Sequence, residues 1–191
     1  AEGKTSSEGD RPLIKRNPAG KLTYQHYVLF PEDGNRHEVI DGEHYMNPAP
    51  STYHQLVSRR IQFQLYTQIE IKKRGCVINA PVDVHLGEFD VVQPDLVIVL
   101  ETNRIITPSK VKGVPDLLVE IISPSSQDND RVLKRSRYEM FGVPEYWVVD
   151  PFDHQLLQLV LVDGSYQELP HEDRVFLRCL PDVFVDLSEV W

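Results

Sequence analysis

The most constraining feature of the sequence is an apolar run that contains one carboxylate. Residues 117–122 read Leu-Leu-Val-Glu-Ile-Ile and lie between two turn-forming segments, Pro115–Asp116 and Ser123–Pro124. A short apolar run between such breakers is typical of a strand that is buried on both faces. A carboxylate in such a strand is costly unless a cation or hydrogen-bond donors satisfy it. The sequence therefore predicts a partner for Glu120 elsewhere in the chain.

Two other segments carry ionisable residues that are predicted to lie near Glu120. Residues 91–100 form a second apolar run, predicted as one strand, in which Asp95 precedes Leu96. The stretch after residue 127 is predicted as a helix that carries Lys134 inward, with Tyr138 at i+4 on the same helix face. Two carboxylates on neighbouring strands beside one lysine predict a magnesium-dependent phosphodiester site. Two plainer interpretations stay open: Glu120 and Lys134 form a structural ion pair, and Asp95 caps a strand end.

The remaining patterns predict a mixed α/β domain. Asp41–Gly42 and Asp163–Gly164 are each two-residue turn signals between strand-like runs, so each predicts a β-hairpin. A helix is predicted to begin at Ser51 or Thr52 and to end at Gly75, after apolar residues at helical spacing. Helices and strands in this order predict an α/β (α+β) fold with a mixed sheet and a helix on either face.

Length and composition narrow the class of protein. The 191 residues suit a single domain, predicted over residues 21–191 and preceded by a loose, polar tail over residues 1–20. No apolar run approaches the roughly 20 residues that cross a bilayer, so no membrane partner is expected. Cys76 and Cys179 make no disulfide framework, and no secretory signal pattern opens the chain, so the cytoplasm is the expected location.

The net charge of −9 argues against a general nucleic-acid binder. Residues 138–191 hold eleven Asp or Glu and two Arg, so the acid excess belongs to the C-terminal third. One basic cluster stands beside the predicted site, and it is either a phosphate-binding face or a solvated helix face. Its members are Arg131, Lys134, Arg135 and Arg137.

Several blocks of the sequence resemble a known family. The matching blocks, in order, are His37–Gly42, Pro94–Asp95, Pro115–Pro124, the spaced residues Asp130, Lys134 and Tyr138, and Gly142–Pro151. In this pattern the chain resembles the Uma2 family, restriction-endonuclease-like proteins of bacteria, over residues 22–190. The resemblance implies the PD-(D/E)XK nuclease fold, a mixed central sheet flanked by helices with extra hairpins, often as a homodimer. It also implies a Mg²⁺-dependent endonuclease (Mn²⁺ as the substitute ion) acting on nucleic acid, DNA foremost.

The resemblance also assigns roles to individual residues. Asp95, Glu120 and the carbonyl of Ile121 are the expected metal ligands, because Mg²⁺ prefers oxygen donors. Lys134 is expected to position or help deprotonate the attacking water, or to stabilise charge on the phosphate. Glu38 matches an acidic position of the family and would bind the ion directly or through water, although a hairpin surface residue is the alternative. Tyr138 would orient the lysine or a phosphate.

One departure from the wider nuclease pattern bears on these assignments. That pattern places the lysine two residues after the strand acid, where this chain has Ile122, so the following helix has to supply Lys134 instead. Asp116 imitates the Pro-Asp motif and is interpreted as a decoy, and Asp128 or Asp130 as a helix cap. His54 either lines the site or is a cap-region histidine. The competing function is a catalytically silent nuclease fold that acts as a binding or regulatory module.

Overall fold

The computed structural model describes residues 19–124 and 129–191, with residues 129–131 described for their backbone alone. The helices are α1 (Tyr24–Tyr27), α2 (Thr52–Ile69) and α3 (Arg135–Phe141), with a π-helical segment at Asn129–Lys134 and a 3₁₀ turn at Leu187–Glu189. The strands are β1 (Arg36–Ile40), β2 (Glu43–Asn47), β3 (Gly75–Asn79), β4 (Val84–Gly87), β5 (Asp90–Val92), β6 (Leu96–Leu100), β7 (Val111–Lys112), β8 (Leu117–Ile121), β9 (Glu145–Asp150), β10 (Gln155–Val162), β11 (Ser165–Leu169), β12 (Arg174–Phe176) and β13 (Phe184–Asp186).

The main sheet is mixed, as predicted, and β8 lies near its centre. Its strand order is β11-β10-β9-β8-β6-β3. β8 and β9 are parallel, whereas β6 pairs antiparallel with both β8 and β3. All five residues of β8 are buried, which confirms a strand covered on both faces. The α/β (α+β) fold class is therefore confirmed.

Helix α2 covers one face of the main sheet. Ser51 caps the helix by accepting a hydrogen bond from the backbone N–H of His54. Its buried apolar positions recur at helical spacing and pack on the sheet, and they are Val57, Ile61, Leu65 and Ile69. The helix ends at Ile69, before the basic residues 72–74 that were predicted to form its last turn. Within the described ranges, none of the helices has the length and apolar character that crossing a bilayer requires.

A second sheet and α3 cover the opposite face. The strand order of the second sheet is β2-β1-β5-β4-β7, and β1 and β2 form the predicted hairpin around Asp41 and Gly42. Both turn residues have positive φ, as a two-residue hairpin turn of this kind requires. The sequence predicted extra hairpins but not a second sheet. Side chains alternate along β8, so Leu118 lies in the apolar cluster of this side, while Val119 lies in that of the α2 side.

The predicted single strand over residues 91–100 is wrong, because the run belongs to two strands in two sheets. β5 ends at Val92 in the second sheet, and β6 begins at Leu96 in the main sheet. Proline interrupts strand pairing, and Pro94 lies in the connection. Asp95 consequently lies where the chain crosses between the sheets. The predicted cap at Asp128 or Asp130 falls outside the described side chains, and the helix that follows begins with the π-helical segment.

Candidate active site

Glu120 meets the predicted lysine on the α3 side of the main sheet. The Nζ atom of Lys134 lies 3.0 Å from Oε1 of Glu120 and 2.9 Å from Oε1 of Glu38. The hydroxyl of Tyr138 donates to the same Oε1 of Glu120 at 2.7 Å. Lys134, Glu38 and Glu120 are each at most 2% exposed, so all three charges are withdrawn from water and depend on one another.

Glu38 is a buried member of this cluster, not a surface residue of the hairpin. The backbone N–H of Gln93 donates to its Oε1 at 2.6 Å, and the Asn47 side chain donates to its Oε2 at 2.8 Å. Residues two apart in a strand share a face, so Arg36 and Glu38 both project from β1 toward the cluster. That strand thus adds one acid and one base.

Asp95 lies beside the cluster with both of its oxygens in contact with donors. Arg36 donates through Nη1 to Oδ1 at 2.9 Å, and the backbone N–H of Ile121 donates to Oδ2 at 2.7 Å. The Nε2 atom of His54 lies 3.3 Å from Oδ2 of Asp95 and 2.9 Å from the carbonyl oxygen of Ile121. Because both of these neighbours are acceptors, Nε2 of His54 carries a hydrogen.

These contacts move the pKa values of Asp95 and Tyr138 in opposite directions. Burial alone would raise the pKa of Asp95, but the hydrogen bond and charge of His54, the charge of Arg36 and the Ile121 N–H outweigh it and lower that pKa. Burial, followed by the negative charge of Glu120, raises the pKa of Tyr138 well above its ordinary value. Asp95 is therefore held as an anion, while Tyr138 remains a hydrogen-bond donor.

The guanidinium of Arg36 links the acids into one electrostatic unit. Burial lowers the pKa of Arg36, but the charge and hydrogen bond of Asp95, with the charges of Glu120 and Glu38, outweigh burial and raise that pKa. Two buried nitrogens of the site, Nε of Arg36 and Nδ1 of His54, have no hydrogen-bond partner among the described residues. Among the described residues, no group of three or more His, Cys, Asp or Glu side chains is arranged to hold a metal ion.

A cleft of about 220 Å³ opens directly beside this unit. Its lining residues include Arg36, Asn47, Ser51, His54 and residues 121–124. A wider cleft of about 680 Å³ lies elsewhere, against α1 and β4, and none of the predicted site residues lines it. The smaller cleft is thus the candidate entrance to the site, and Arg36 and His54 stand between it and Asp95.

Helix α3, which carries Tyr138, is fastened to the second sheet. Arg137 donates from Nε and Nη2 to the two oxygens of buried Asp90 at 2.9 and 2.6 Å. A side-chain carbon built at Gly87 would lie 2.7 Å from the ring of Phe141, so only glycine allows this close approach of β4. The fastening holds Lys134 and Tyr138 against Glu120.

The basic cluster predicted on this helix does not form one free cationic face among the described side chains. Lys134 is buried in the acid cluster, and Arg137 is paired with Asp90. The side chain of Arg131 falls outside the described part. Lys134 and Arg137 thus neutralise acids, whereas Arg135 lines a separate cleft with Asp150 and His154.

Asp116 lies apart from the cluster, as its interpretation as a decoy requires. Its Oδ2 accepts from the backbone N–H of Leu100 and from the side chain of Asn103. Sequence reasoning missed Arg36 and favoured a cap-region role for His54, which instead contacts Asp95. The signal for Arg36 was its position two residues before Glu38 on a predicted strand.

A third buried glutamate, Glu145 at the start of β9, has a different set of partners. The side chains of Trp147 and Gln158 donate to its Oε2, both at 2.8 Å. The backbone N–H groups of Arg178 and Cys179 donate to its Oε1 at 2.7 and 3.2 Å. Neutral donors therefore satisfy this carboxylate, and they attach the C-terminal segment to the sheet.

Known proteins share this fold and this sequence pattern. Among solved structures, the fold matches a crystal structure described as "a putative nuclease belonging to DUF820" from Anabaena variabilis, with a TM-score of 0.73. The two chains are 15% identical, and the match covers 88% of this chain and 97% of the other, which shows a shared fold. The comparison with curated proteins gave no match. The Uma2 sequence profile, described as "Putative restriction endonuclease", matches residues 24–188. That match spans most of the 191 residues of this chain, so the chain belongs to the Uma2 family.

Proposed function

We propose that this protein is a metal-dependent endonuclease that hydrolyses phosphodiester bonds of DNA with Mg²⁺, or with Mn²⁺ as a substitute. The observation that carries the proposal is the convergence of Glu120, Lys134, Glu38 and Tyr138 beside Asp95. Arg36 and His54, which contact Asp95, line the adjacent cleft. The Uma2 description and the nuclease named among solved structures support the same reaction class.

The donor set of the cluster suits a small, hard cation. Asp95, Glu120 and the carbonyl of Ile121 would supply oxygen ligands, and Glu38 would bind the ion directly or through a water molecule. A divalent ion held there would neutralise phosphate charge and lower the pKa of a bound water. Asp95 is already anionic because its pKa is lowered, so it needs no deprotonation before it coordinates.

Lys134 and Tyr138 serve the same carboxylate from one helix. Lys134 positions the attacking water or stabilises negative charge on the phosphate, and it is a fixed donor because two carboxylates hold its Nζ. Tyr138 donates to Glu120 Oε1 and thereby orients that carboxylate. Tyr138 is a positioning residue in this scheme, because its hydroxyl contacts Glu120.

Cleavage of plasmid and single-stranded DNA with Mg²⁺ or Mn²⁺ tests the proposal. We expect the Glu120→Gln and Lys134→Ala variants to cleave at least about 100-fold more slowly than the wild type, and chelation of the ion to abolish cleavage. Glu145→Gln is the matched control, since it removes a buried carboxylate from the adjacent strand without touching the cluster. Cleavage that is unchanged by both site substitutions would assign the activity to a contaminant or to another site.

A second candidate function is a catalytically silent member that binds a partner through the same fold. The closed state of Asp95, with both oxygens engaged, and the acidic C-terminal third favour it. Titration with Mn²⁺ separates the two candidates. A folded protein that binds no Mn²⁺ by calorimetry would support the binding module.

Two further features belong to the proposal. We propose a homodimer, by analogy with related nuclease folds, and multi-angle light scattering gives the mass that decides it. We also propose that the protein works in the cytoplasm, since both cysteines are free thiols. Fractionation of cells that express a tagged full-length chain tests the location.

A further inference from the structure

Arg36 is less fully paired by protein groups than Arg137. A guanidinium has five N–H donors; among the described residues Arg36 makes one hydrogen bond, from Nη1 to Asp95, and its Nε has no partner, while its side chain is 21% exposed. Arg137 provides the contrast within the same protein, because it grips Asp90 through two nitrogens. A two-point grip is the strong form of an arginine–carboxylate pair. Arg36 is therefore held loosely by comparison.

The position of Arg36 conflicts with metal binding at Asp95. Its Nη1 donates a hydrogen bond to Oδ1 of Asp95, and the negative charges of Glu120 and Glu38 also act on its guanidinium. Among the described contacts, Arg36 and Lys134 supply positive charge to the three carboxylates Asp95, Glu120 and Glu38. Arg36 and an ion compete for Asp95, because an ion at Oδ1 would repel the guanidinium that lies 2.9 Å from that oxygen, so coordination favours the departure of Arg36.

The cleft offers Arg36 a place to go. Arg36 lines the cleft and is the only Lys or Arg among the described residues that do so. Asn47, Ser51 and His54 are the polar neighbours there. A guanidinium matches the geometry of two phosphate oxygens, and a phosphodiester entering an acidic site needs such a cation.

We infer that Arg36 is a phosphate-binding residue that Asp95 holds in reserve. It neutralises Asp95 in the metal-free protein and transfers to a phosphate of the substrate when Asp95 coordinates the ion. This inference rests on the proposed nuclease function and deepens it, because it assigns the phosphate subsite to the cleft. It makes metal binding and DNA binding mutually favourable, since each removes the competitor of the other.

Mn²⁺ titration without DNA tests the exchange directly. We expect Arg36→Gln to bind Mn²⁺ about tenfold more tightly than the wild type in calorimetry, because the competing cation is gone. Arg36→Lys keeps the charge and is expected to stay near the wild-type affinity. Arg74→Gln is the matched arginine control, because Arg74 pairs with Asp182 away from the site, and it is expected to leave Mn²⁺ affinity unchanged. Unchanged or weaker Mn²⁺ binding by folded Arg36→Gln would overturn the inference.

Binding of a fluorescein-labelled single-stranded oligonucleotide tests the second part of the inference, the transfer of Arg36 to a phosphate. In Ca²⁺, we expect wild-type affinity for the oligonucleotide to rise relative to the metal-free protein, and Arg36→Gln to bind it about tenfold more weakly than the wild type in the same buffer. Equal oligonucleotide affinity of the two proteins in Ca²⁺ would overturn the phosphate role. If Arg36→Gln does not fold, a lower Ca²⁺-dependent gain for Arg36→Lys supports the role, and an undiminished gain overturns it.

The two proposals fail in different ways. A wild type that cleaves DNA, paired with an Arg36→Gln variant that binds Mn²⁺ no better, overturns the exchange and leaves the nuclease function standing. Tighter Mn²⁺ binding by Arg36→Gln, in a protein that cleaves no DNA, supports the exchange at Asp95 and removes the nuclease function.

Discussion

Two buried glutamates lie on neighbouring parallel strands of this protein and have opposite surroundings. Glu145 receives four hydrogen bonds from neutral donors, two of them backbone N–H groups of the C-terminal segment. The partners of Glu120 include a lysine and a tyrosine, and the lysine is shared with Glu38. Both are at most 2% exposed, so burial does not distinguish them.

The difference lies in what each set of partners can release. Neutral donors that belong to the backbone of a strand or loop cannot leave without local unfolding, so Glu145 is a structural carboxylate. Side-chain cations can move, and a carboxylate neutralised by them can exchange one cation for another. A buried acid satisfied by lysine or arginine is therefore a better candidate for metal binding than an equally buried acid satisfied by amides.

The largest expected effect on stability comes from removing the shared cation. Lys134→Met keeps the length of the side chain but leaves Glu38 and Glu120 buried without their cation, so we expect the free energy of unfolding to fall by about 3–5 kcal/mol. Urea denaturation measures this change in the free energy of unfolding. The exposed Lys112→Met is the matched control, with a change of at most about 0.5 kcal/mol. Equal losses in both variants would deny that the cluster depends on Lys134.

Glu145→Gln is expected to lower the free energy of unfolding by about 1–3 kcal/mol, because an amide leaves at least one of the four donors without an acceptor. The same variant should keep the wild-type affinity for Mn²⁺ in calorimetry. Glu120→Gln should show the reverse, with Mn²⁺ binding lost and stability reduced less. Loss of Mn²⁺ binding in folded Glu145→Gln would break the distinction between the two glutamates.

Tyr138→Phe sharpens the comparison within the Glu120 cluster. It removes a hydrogen bond to a charged acceptor, so we expect a loss of about 1.5 kcal/mol in the free energy of unfolding. Tyr166→Phe, which removes a hydrogen bond to the neutral carbonyl of Val143, should cost less, about 1 kcal/mol. Of the two variants, only Tyr138→Phe should also weaken Mn²⁺ binding, because it frees the carboxylate of Glu120 to rotate. Wild-type Mn²⁺ affinity in Tyr138→Phe would show that Tyr138 does not position Glu120.

The smallest effect concerns a thiol beside Glu145. Burial, followed by the negative charge of Glu145, raises the pKa of Cys179 to about 12. At pH 8 only about one thiol in 10⁴ is then ionised, so labelling of Cys179 by a disulfide reagent should be slow and should speed up about tenfold per pH unit. In a Cys76→Ser background, Glu145→Gln should lower the pKa and accelerate labelling at pH 8. An unchanged rate would mean that the charge of Glu145 does not reach the thiol.

The convergence of Glu120, Lys134 and Tyr138 was predictable because each step uses a short-range pattern. An apolar run gives the strand, i and i+4 positions share a helix face, and a buried acid requires a cation. The contact between Arg36 and Asp95 joins residues 59 apart in sequence. Local sequence patterns do not predict which distant strands become neighbours in a sheet, so this contact could not be predicted in the same way.

The same limit explains what was missed in the fold. Both hairpins were predicted because their turns are local signals, and the structure confirms them. The second sheet was missed because two of its pairings join distant segments, β1 with β5 and β4 with β7, and the latter is parallel. The break at Pro94 was visible in the sequence, but its meaning, a crossing from one sheet to the other, depends on those pairings.

The alternation of β8 has a consequence for the accuracy of folding. Its central position puts an aliphatic layer on one side and the charged cluster on the other. A slip of one residue against β6 and β9 would turn Glu120 into the aliphatic layer beneath α2 and bring Ile121 against Lys134. Both sides would then be penalised at once, so misregistered chains are strongly disfavoured. The polar cluster thus favours the correct register of β8 against its neighbours, independently of any catalytic role.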